Sequence, residues 1–391
     1  MLIYIKYFSK SLGVNMELES TITERRRQTR SSIYLHLYNT TEFCSKQSLA
    51  HDLSLSLPTV YQNLTELTDA GLVRLSGELR STGGRKAAGL EIVPDARIAI
   101  GVSITENRLR LVATDLRLQE IAYKKIYHAP VVQLPDFGAF LARELEVFLN
   151  ENNIERSRLL GIGIAVPGVI TPNCDRISLA PTLHLRDTTL QGLLRMIPYP
   201  TYVENDGSSG GYAEWFMRAN QENMAYLSLE NGVGGAVLVN GDLYAGDNRR
   251  SGEFGHMCVE PGGLPCKCGK RGCLEAYCSA RRISDDLNIT LKEFFAGVEH
   301  HIPEYDTLWN DVLRHLAVGI SNIRMALDCD VVLGGFLTQY LPPYLPLLKE
   351  YVAANNTFES SADYLHLSIL PRHTVALGVA LHFVKEFINH I

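Results

Sequence analysis

Apolar residues recur at helical spacing through the first part of the chain. In RRRQTRSSIYLHLYN, Ile33 and Leu37 stand four apart, as one helical face requires. CSKQSLAHDL offers Ser45 as an N-cap, with Leu49 and Leu53 on one face. After the short turn SLSL, the stretch SLPTVYQNLTELTDAGLV begins with Ser56 as a cap and Pro58 near the first helical position. Val60, Leu64 and Leu67 make its buried stripe, and Gly71 stops the helix. Helix, short turn and second helix form a helix-turn-helix pattern. In LVRLSGELRSTGGRKAAGLEIV, two apolar stretches flank a polar segment, which predicts a β-hairpin with a basic tip, Gly83-Gly84-Arg85-Lys86.

Pro94 and Asp95 close this unit, and from Arg97 the pattern changes. IAIGVSITENRLRLVATDLRLQEIAYKKIYH reads as consecutive strands joined by tight turns. DFGAFLARELEVFLNEN follows as a helix. LLGIGIAVPGVI is a continuous apolar run, as in a buried central strand. TYVENDG is a short strand with a polar exit, and AYLSLENGVGGAVLVNGDLYAG is two strands around a Gly-rich turn. Residues 280 to about 327 are mostly helical, DVVLGGFL is a strand with a Gly-Gly exit, and VALGVALHFVKEFINH is an apolar-faced helix. Alternation of strands and helices over nearly 300 residues indicates an α/β fold. The two Gly-rich strand ends suggest backbone approaching a ligand between two lobes.

Charge sharpens the division. Residues 25–90 carry nine Lys and Arg against five acids, a net of +4, which leaves −10 for the rest of a chain whose formal total is −6. A basic unit on an acidic body suggests an anionic partner for that unit alone. The pattern is that of a winged helix-turn-helix and implies double-stranded DNA. Ser56, Thr59, Tyr61, Gln62 and Asn63 are the candidate contacts on its second helix; Thr59, Gln62 and Asn63 are placed on the outer face, where they can hydrogen-bond base edges. Arg85 and Lys86 at the wing tip suit phosphate or the minor groove. No run approaches the roughly twenty apolar residues of a membrane span. Lys6 interrupts the opening apolar stretch, and no small-residue cleavage site follows, so a signal peptide is not expected.

Of eight Cys, three cluster at 266, 268 and 273, behind His256. Without a secretory signal, the cluster reads as metal ligands in a reducing cytoplasm. Three thiolates and one imidazole suit a tetrahedral Zn2+ and leave no open position. Pro261, Gly262, Gly263 and Pro265 bend the segment between His256 and Cys266.

SGEFGHM followed by CKCGKRGCLEAY resembles the zinc signature of the ROK (repressor, open reading frame, kinase) family. YVENDG resembles that family's sugar-binding strand exit, and GIGIAVPGVI, NGDLYAG and VVLGGFL match in order. The resemblance implies a two-lobed, actin-like (ribonuclease H-like) domain with a zinc loop over 96–391. Lobe one is about 96–204 plus the helix 375–391, and lobe two about 205–374. Ahead of it stand the winged unit over 21–95 and an extension over 1–20, expected to be poorly ordered. Family sugar contacts map to Asn205, Asp206, Glu253, His256 and Glu275. Kinase members cradle ATP phosphates on two Gly-rich loops. Here the first reads GVSITEN, with Thr105 and Glu106 in place of the glycines, and the second reads ENGVGG, with Glu230 and Asn231 in place of Gly and Thr. Both departures remove phosphate affinity and add an acid. The expectation is therefore a cytoplasmic, non-catalytic, sugar- or sugar-phosphate-responsive regulator. It would act as a homodimer or a tetramer; an ATP-dependent sugar kinase with an appended DNA module is the alternative. Gly207-Ser208-Ser209-Gly210-Gly211 departs from the family after VEND, and adjacent glycines cost a helix about 1 kcal/mol each against alanine.

Overall fold

The structure, a computed structural model, describes residues 22–40, 44–78, 88–128, 134–218, 222–370 and 372–391. The extension over 1–20 and the hairpin tip with Gly83, Gly84, Arg85 and Lys86 lie outside the described residues.

Three helices open the chain: α1 (Ile22–Asn39), α2 (Lys46–Asp52) and α3 (Leu57–Asp69). The Ser45 hydroxyl accepts the Ser48 N–H at 3.0 Å, and the Ser48 hydroxyl accepts the Ser45 N–H at 2.8 Å, a reciprocal cap on α2. Ser56 caps α3 by accepting the Thr59 N–H at 3.3 Å. Val60, Leu64 and Leu67 are buried, and so is Asn63, against expectation. Positions 60, 63, 64 and 67 share one helical face, so Asn63 points inward with the stripe. Its Nδ2 donates to the Thr59 carbonyl at 2.8 Å. An antiparallel ribbon of β1 (Val73–Glu78) and β2 (Ala88–Ile92) follows, and Leu90 N–H donates to the Cys44 carbonyl at 2.8 Å.

The next stretch holds β3 (Ile98–Ile104), β4 (Arg108–Thr114), β5 (Glu120–Tyr127), α4 (Leu134–Glu151) and β6 (Leu159–Val166). After it come β7 (Val169–Ile170), β8 (Arg176–Ala180), β9 (Leu185–Thr189), the single turn α5 (Gln191–Leu194) and β10 (Thr201–Asn205). The main sheet has the order β10-β6-β3-β4-β5, with β10, β6 and β3 parallel and β4 and β5 antiparallel; β7, β8 and β9 form a small sheet of their own. All seven residues of β3 are buried because both faces are covered. Ile98, Ile100 and Val102 share a core with Phe137, Leu141 and Phe148 of α4.

The second half begins with α6 (Asp206–Met217), β11 (Met224–Leu229), β12 (Val233–Val239) and β13 (Asp242–Leu243). Four helices follow: α7 (Leu274–Cys278), α8 (Ala280–Leu287), α9 (Leu291–Glu299) and α10 (Pro303–Leu327). The chain ends with β14 (Asp330–Gly334), α11 (Leu345–Ala354), β15 (Leu365–Leu367) and α12 (Thr374–Asn389). This sheet has the order β13-β12-β11-β14-β15. One face packs on α7, α9 and α10 through Ala225, Leu227, Phe294, Trp309 and Leu316. The chain is mixed α/β, as the alternating pattern indicates.

α6 forms despite its glycines. A Cβ on Gly211 would meet the Ala236 Cβ at 2.4 Å, so close packing on β12 offsets the propensity cost. α12 returns to the first sheet, where a Cβ on Gly101 would meet the Ala376 carbonyl oxygen at 1.7 Å. At its far end, Leu381, Val384 and Ile388 of α12 share a core with Ile33, Tyr34 and Leu37 of α1 and with Leu116. Ser31 Oγ donates to the Ile391 carbonyl at 2.8 Å, and Tyr38 OH to the Leu116 carbonyl at 2.6 Å. Among the described residues, no helix is long and apolar enough to cross a membrane.

Candidate functional site

The segment between β13 and α7 folds on itself in tight turns. Cys266 N–H donates to the Lys270 carbonyl at 2.8 Å, and Gly269 N–H to the Cys266 carbonyl at 3.0 Å. Cys258 pairs antiparallel with Cys273, the residue that precedes α7. These contacts bring His256, Cys266, Cys268 and Cys273 together, each offering one ligand atom, all within 4.8 Å of one another. Cys268 Sγ lies 3.7 Å from Cys273 Sγ, and Cys266 Sγ lies 3.9 Å from His256 Nδ1. A tetrahedral ion bound at about 2.3 Å from sulfur requires edges of about 3.8 Å, so the donors fit one. Burial and the neighbouring thiols push the Cys273 thiol up to about 12. Burial likewise raises Cys266, while Cys268 is lowered, so a cation among the three would favour the thiolate form of the two raised groups.

Beside the thiols lie the carboxylates singled out from the sequence. Glu275, in the first turn of α7, accepts the Val233 N–H at 2.9 Å through Oε2, and its Oε1 lies 3.9 Å from Cys266 Sγ. Glu253 Oε2 is 3.9 Å from His256 Nε2. His256 thus presents Nδ1 to the thiols and Nε2 to the carboxylate side. Asp206 begins α6 and accepts the Gly207 N–H at 2.9 Å. Burial, then Glu230 and Glu253, push its carboxyl up to about 7. Burial and the Glu275 charge likewise raise Glu253. Asp206, Glu253, His256 and Glu275 converge. Asn205 stands beside them but is engaged as the cap of α6: Oδ1 accepts the Ser208 N–H at 2.9 Å, and Nδ2 donates to the Gly168 carbonyl at 3.0 Å.

One acid from the altered loops, Glu106, makes a contact that its own segment does not announce. Glu106, read as repelling phosphate, is ion-paired with Arg281 Nη2 of α8 at 2.7 Å, which ties the β3–β4 turn to the second half. Its charge is met by a guanidinium 175 positions away, a partner no local pattern announces. Glu230 is raised by burial and lowered by Arg110. A second tie joins Arg249 to Glu204 at the end of β10.

On α3, Ser56, Tyr61 and Gln62 are exposed and Thr59 is half-buried. The Lys46 ammonium lies 4.1 Å from the Tyr61 ring centroid. Asn63 is removed from this face by its burial, while Arg85 and Lys86 lie outside the described residues.

The model of the ROK family matches residues 99–373. The chain belongs to the ROK family. Curated ROK relatives include the xylose repressor of Bacillus spizizenii, 27% identical over 357 residues, 88% of this chain and 92% of the relative. The DNA-binding transcriptional dual regulator NagC of Escherichia coli is 26% identical over 374 residues, 89% of this chain and 90% of the relative. Among solved structures, a ROK family transcriptional regulator described as a homolog of the E. coli MLC protein shares the fold with a TM-score of 0.75 at 19% identity. It covers 94% of this chain and 97% of its own. A ROK family glucokinase from Streptomyces griseus in complex with glucose and AMPPNP shares it with a TM-score of 0.61 at 18% identity. It covers 73% of this chain and 98% of its own.

Proposed function

We propose that this ROK chain is a sugar-responsive transcriptional repressor, not an enzyme. The observation that carries the reading is similarity over 88% and 89% of the chain to a xylose repressor and to the transcriptional regulator NagC. In this reading α2, α3 and the β1–β2 ribbon are a winged helix-turn-helix. Gln62, Tyr61, Thr59 and Ser56 face the operator, and Arg85 and Lys86 reach its backbone. Such a unit reads two half-sites as a dimer, so a cytoplasmic homodimer is the working state.

The effector is a sugar held by Asp206, Glu253, Glu275 and His256, with Asn205 setting the position of Asp206. Carboxylates accept from vicinal hydroxyls, and the imidazole donates through its Nε2 side. His256, Cys266, Cys268 and Cys273 would hold Zn2+ structurally, with no position left for catalysis. Zinc so bound fixes the His256 ring that faces the sugar.

Coupling runs through α12. Its 16 residues span about 24 Å. Its first turn lines a cavity together with Glu230, whose charge acts on Asp206, and its last turns pack on α1. A sugar that favours one setting of the two halves biases this helix and with it the operator-binding units. A coupling of about 1–3 kcal/mol is ordinary for such a device.

The reading is tested by selecting fragments from a genomic library with the full chain at moderate salt. Recovery of a common sequence supports it, and indifference to sequence overturns it. ADP release with ATP and a sugar panel would instead establish the kinase alternative.

A further inference from the structure

Two residues past His256, Cys258 pairs antiparallel with Cys273. Val259 N–H donates to the Gly272 carbonyl at 2.8 Å, and Leu274 N–H to the Met257 carbonyl at 2.9 Å. These bonds flank the two cysteines on either side, so Cys258 and Cys273 are a non-hydrogen-bonded cross-strand pair. That arrangement brings opposite Cα atoms closest, to about 4.5 Å, with both side chains on one face of the ribbon. A disulfide needs Cα atoms about 4.4–6.8 Å apart, so the backbone already meets its demand.

Burial separates the two thiols: Cys258 is exposed and Cys273 is buried. Among the described residues Cys268 is exposed as well, but it belongs to the metal donor set, and Cys258 does not. Cys258 is therefore the thiol that an oxidant in solution meets uncapped, and Cys273 stands behind it as the group that can close the bond.

We infer that Cys258 and Cys273 are a peroxide-sensitive thiol pair whose disulfide breaks the metal donor set. The Cys258 thiolate attacks hydrogen peroxide, the O–O bond breaks, and Cys258 becomes a sulfenic acid as hydroxide leaves. The Cys273 sulfur then attacks the sulfenic sulfur, and the S–O bond breaks with loss of a second hydroxide. Counted from the free thiols, two thiols and one peroxide give one disulfide and two waters, and two electrons pass from sulfur to peroxide. Cys273 can then no longer donate as a thiolate, and His256, Cys266 and Cys268 remain of the four donors. Cys273 caps α7, and Glu275 lies in the first turn of that helix, so the change falls beside the carboxylate cluster. The consequence for the metal rests on the zinc reading; the bond between the two sulfurs does not.

The test treats the full-length protein, free of reductant, with graded hydrogen peroxide. Zinc release is followed with a metallochromic dye, and cross-links are mapped by mass spectrometry after alkylation of the remaining thiols. A Cys258–Cys273 cross-link and release of about one zinc per chain are expected, both reversed by dithiothreitol with zinc restored. Cys258→Ser should form no such cross-link and should hold its zinc at peroxide doses that empty the wild type. Cys174→Ser, which removes a half-buried thiol between β7 and β8, should respond as the wild type does. A Cys258–Cys273 cross-link in a protein that held no zinc before treatment sinks the zinc reading and leaves the thiol pair standing. Absence of that cross-link, cross-links confined to Cys266, Cys268 and Cys273, or zinc loss from Cys258→Ser as fast as from the wild type overturns the pair.

Discussion

Asp206 gives the sharpest test of the carboxylate cluster, because its cost to the fold and its use in binding should separate. Burial and the charges of Glu230 and Glu253 raise its carboxyl from 3.8 to about 7. A raised carboxyl binds its proton more tightly in the folded state, so stability falls as pH rises from about 4 through about 7. The shift of about three units corresponds to about 4 kcal/mol at full weight. Because Asp206 is only partly buried, about 2 kcal/mol is the working figure. Asp206→Asn keeps the oxygen that accepts the Gly207 N–H and removes the charge. The substitution should therefore stabilise the free protein by about 2 kcal/mol at pH 8 and leave it nearly unchanged at pH 4. It should also abolish sugar binding at both pH values. Thermal and urea melts at the two pH values measure the first effect, and calorimetry with sugar the second. Equal destabilisation at both pH values would show that Asp206 is a structural cap and not a strained binding group.

The His256–Cys273 cluster and α3 yield further tests. Elemental analysis should find about one zinc per chain, and Cys266→Ser should lose the metal, lower the melting temperature and weaken sugar binding through His256. A metal-free protein with unchanged stability would refute the ligand assignment. Gln62→Ala should leave stability unchanged and cost about tenfold in operator affinity, about 1.4 kcal/mol. Asn63→Ala should cost about 1 kcal/mol of stability through the lost bond to the Thr59 carbonyl, and lower operator affinity only as the fold loosens. Reversal of these two outcomes would contradict the orientation of α3.

Local chemistry in this chain could be read before the fold was known. Ser45, Ser56 and the Val60–Leu64–Leu67 stripe follow from capping and helical period, and the His256–Cys273 cluster follows from spacing. Asn63 differs from its expected outward placement although the signal is present: it lies three after Val60 and four before Leu67, on the inward face. The chemistry of a polar side chain suggests the outer face, but its position in the helical period decides. Glu106 is a different matter. Its partner, Arg281, is brought near only by the packing of the two halves, and no periodicity within either segment encodes that meeting. The glycines of α6 likewise argued against a regular helix until the approach of β12 supplied the reason for them.

A sugar response requires communication between the carboxylate cluster and the N-terminal helices. Its most direct test is fluorescence anisotropy of a labelled operator bound to the full chain, titrated with the sugar that calorimetry identifies. Operator affinity should fall by about 5- to 150-fold when the sugar saturates, and operator should weaken sugar binding by the same factor. Sugar binding that leaves operator affinity unchanged would contradict it.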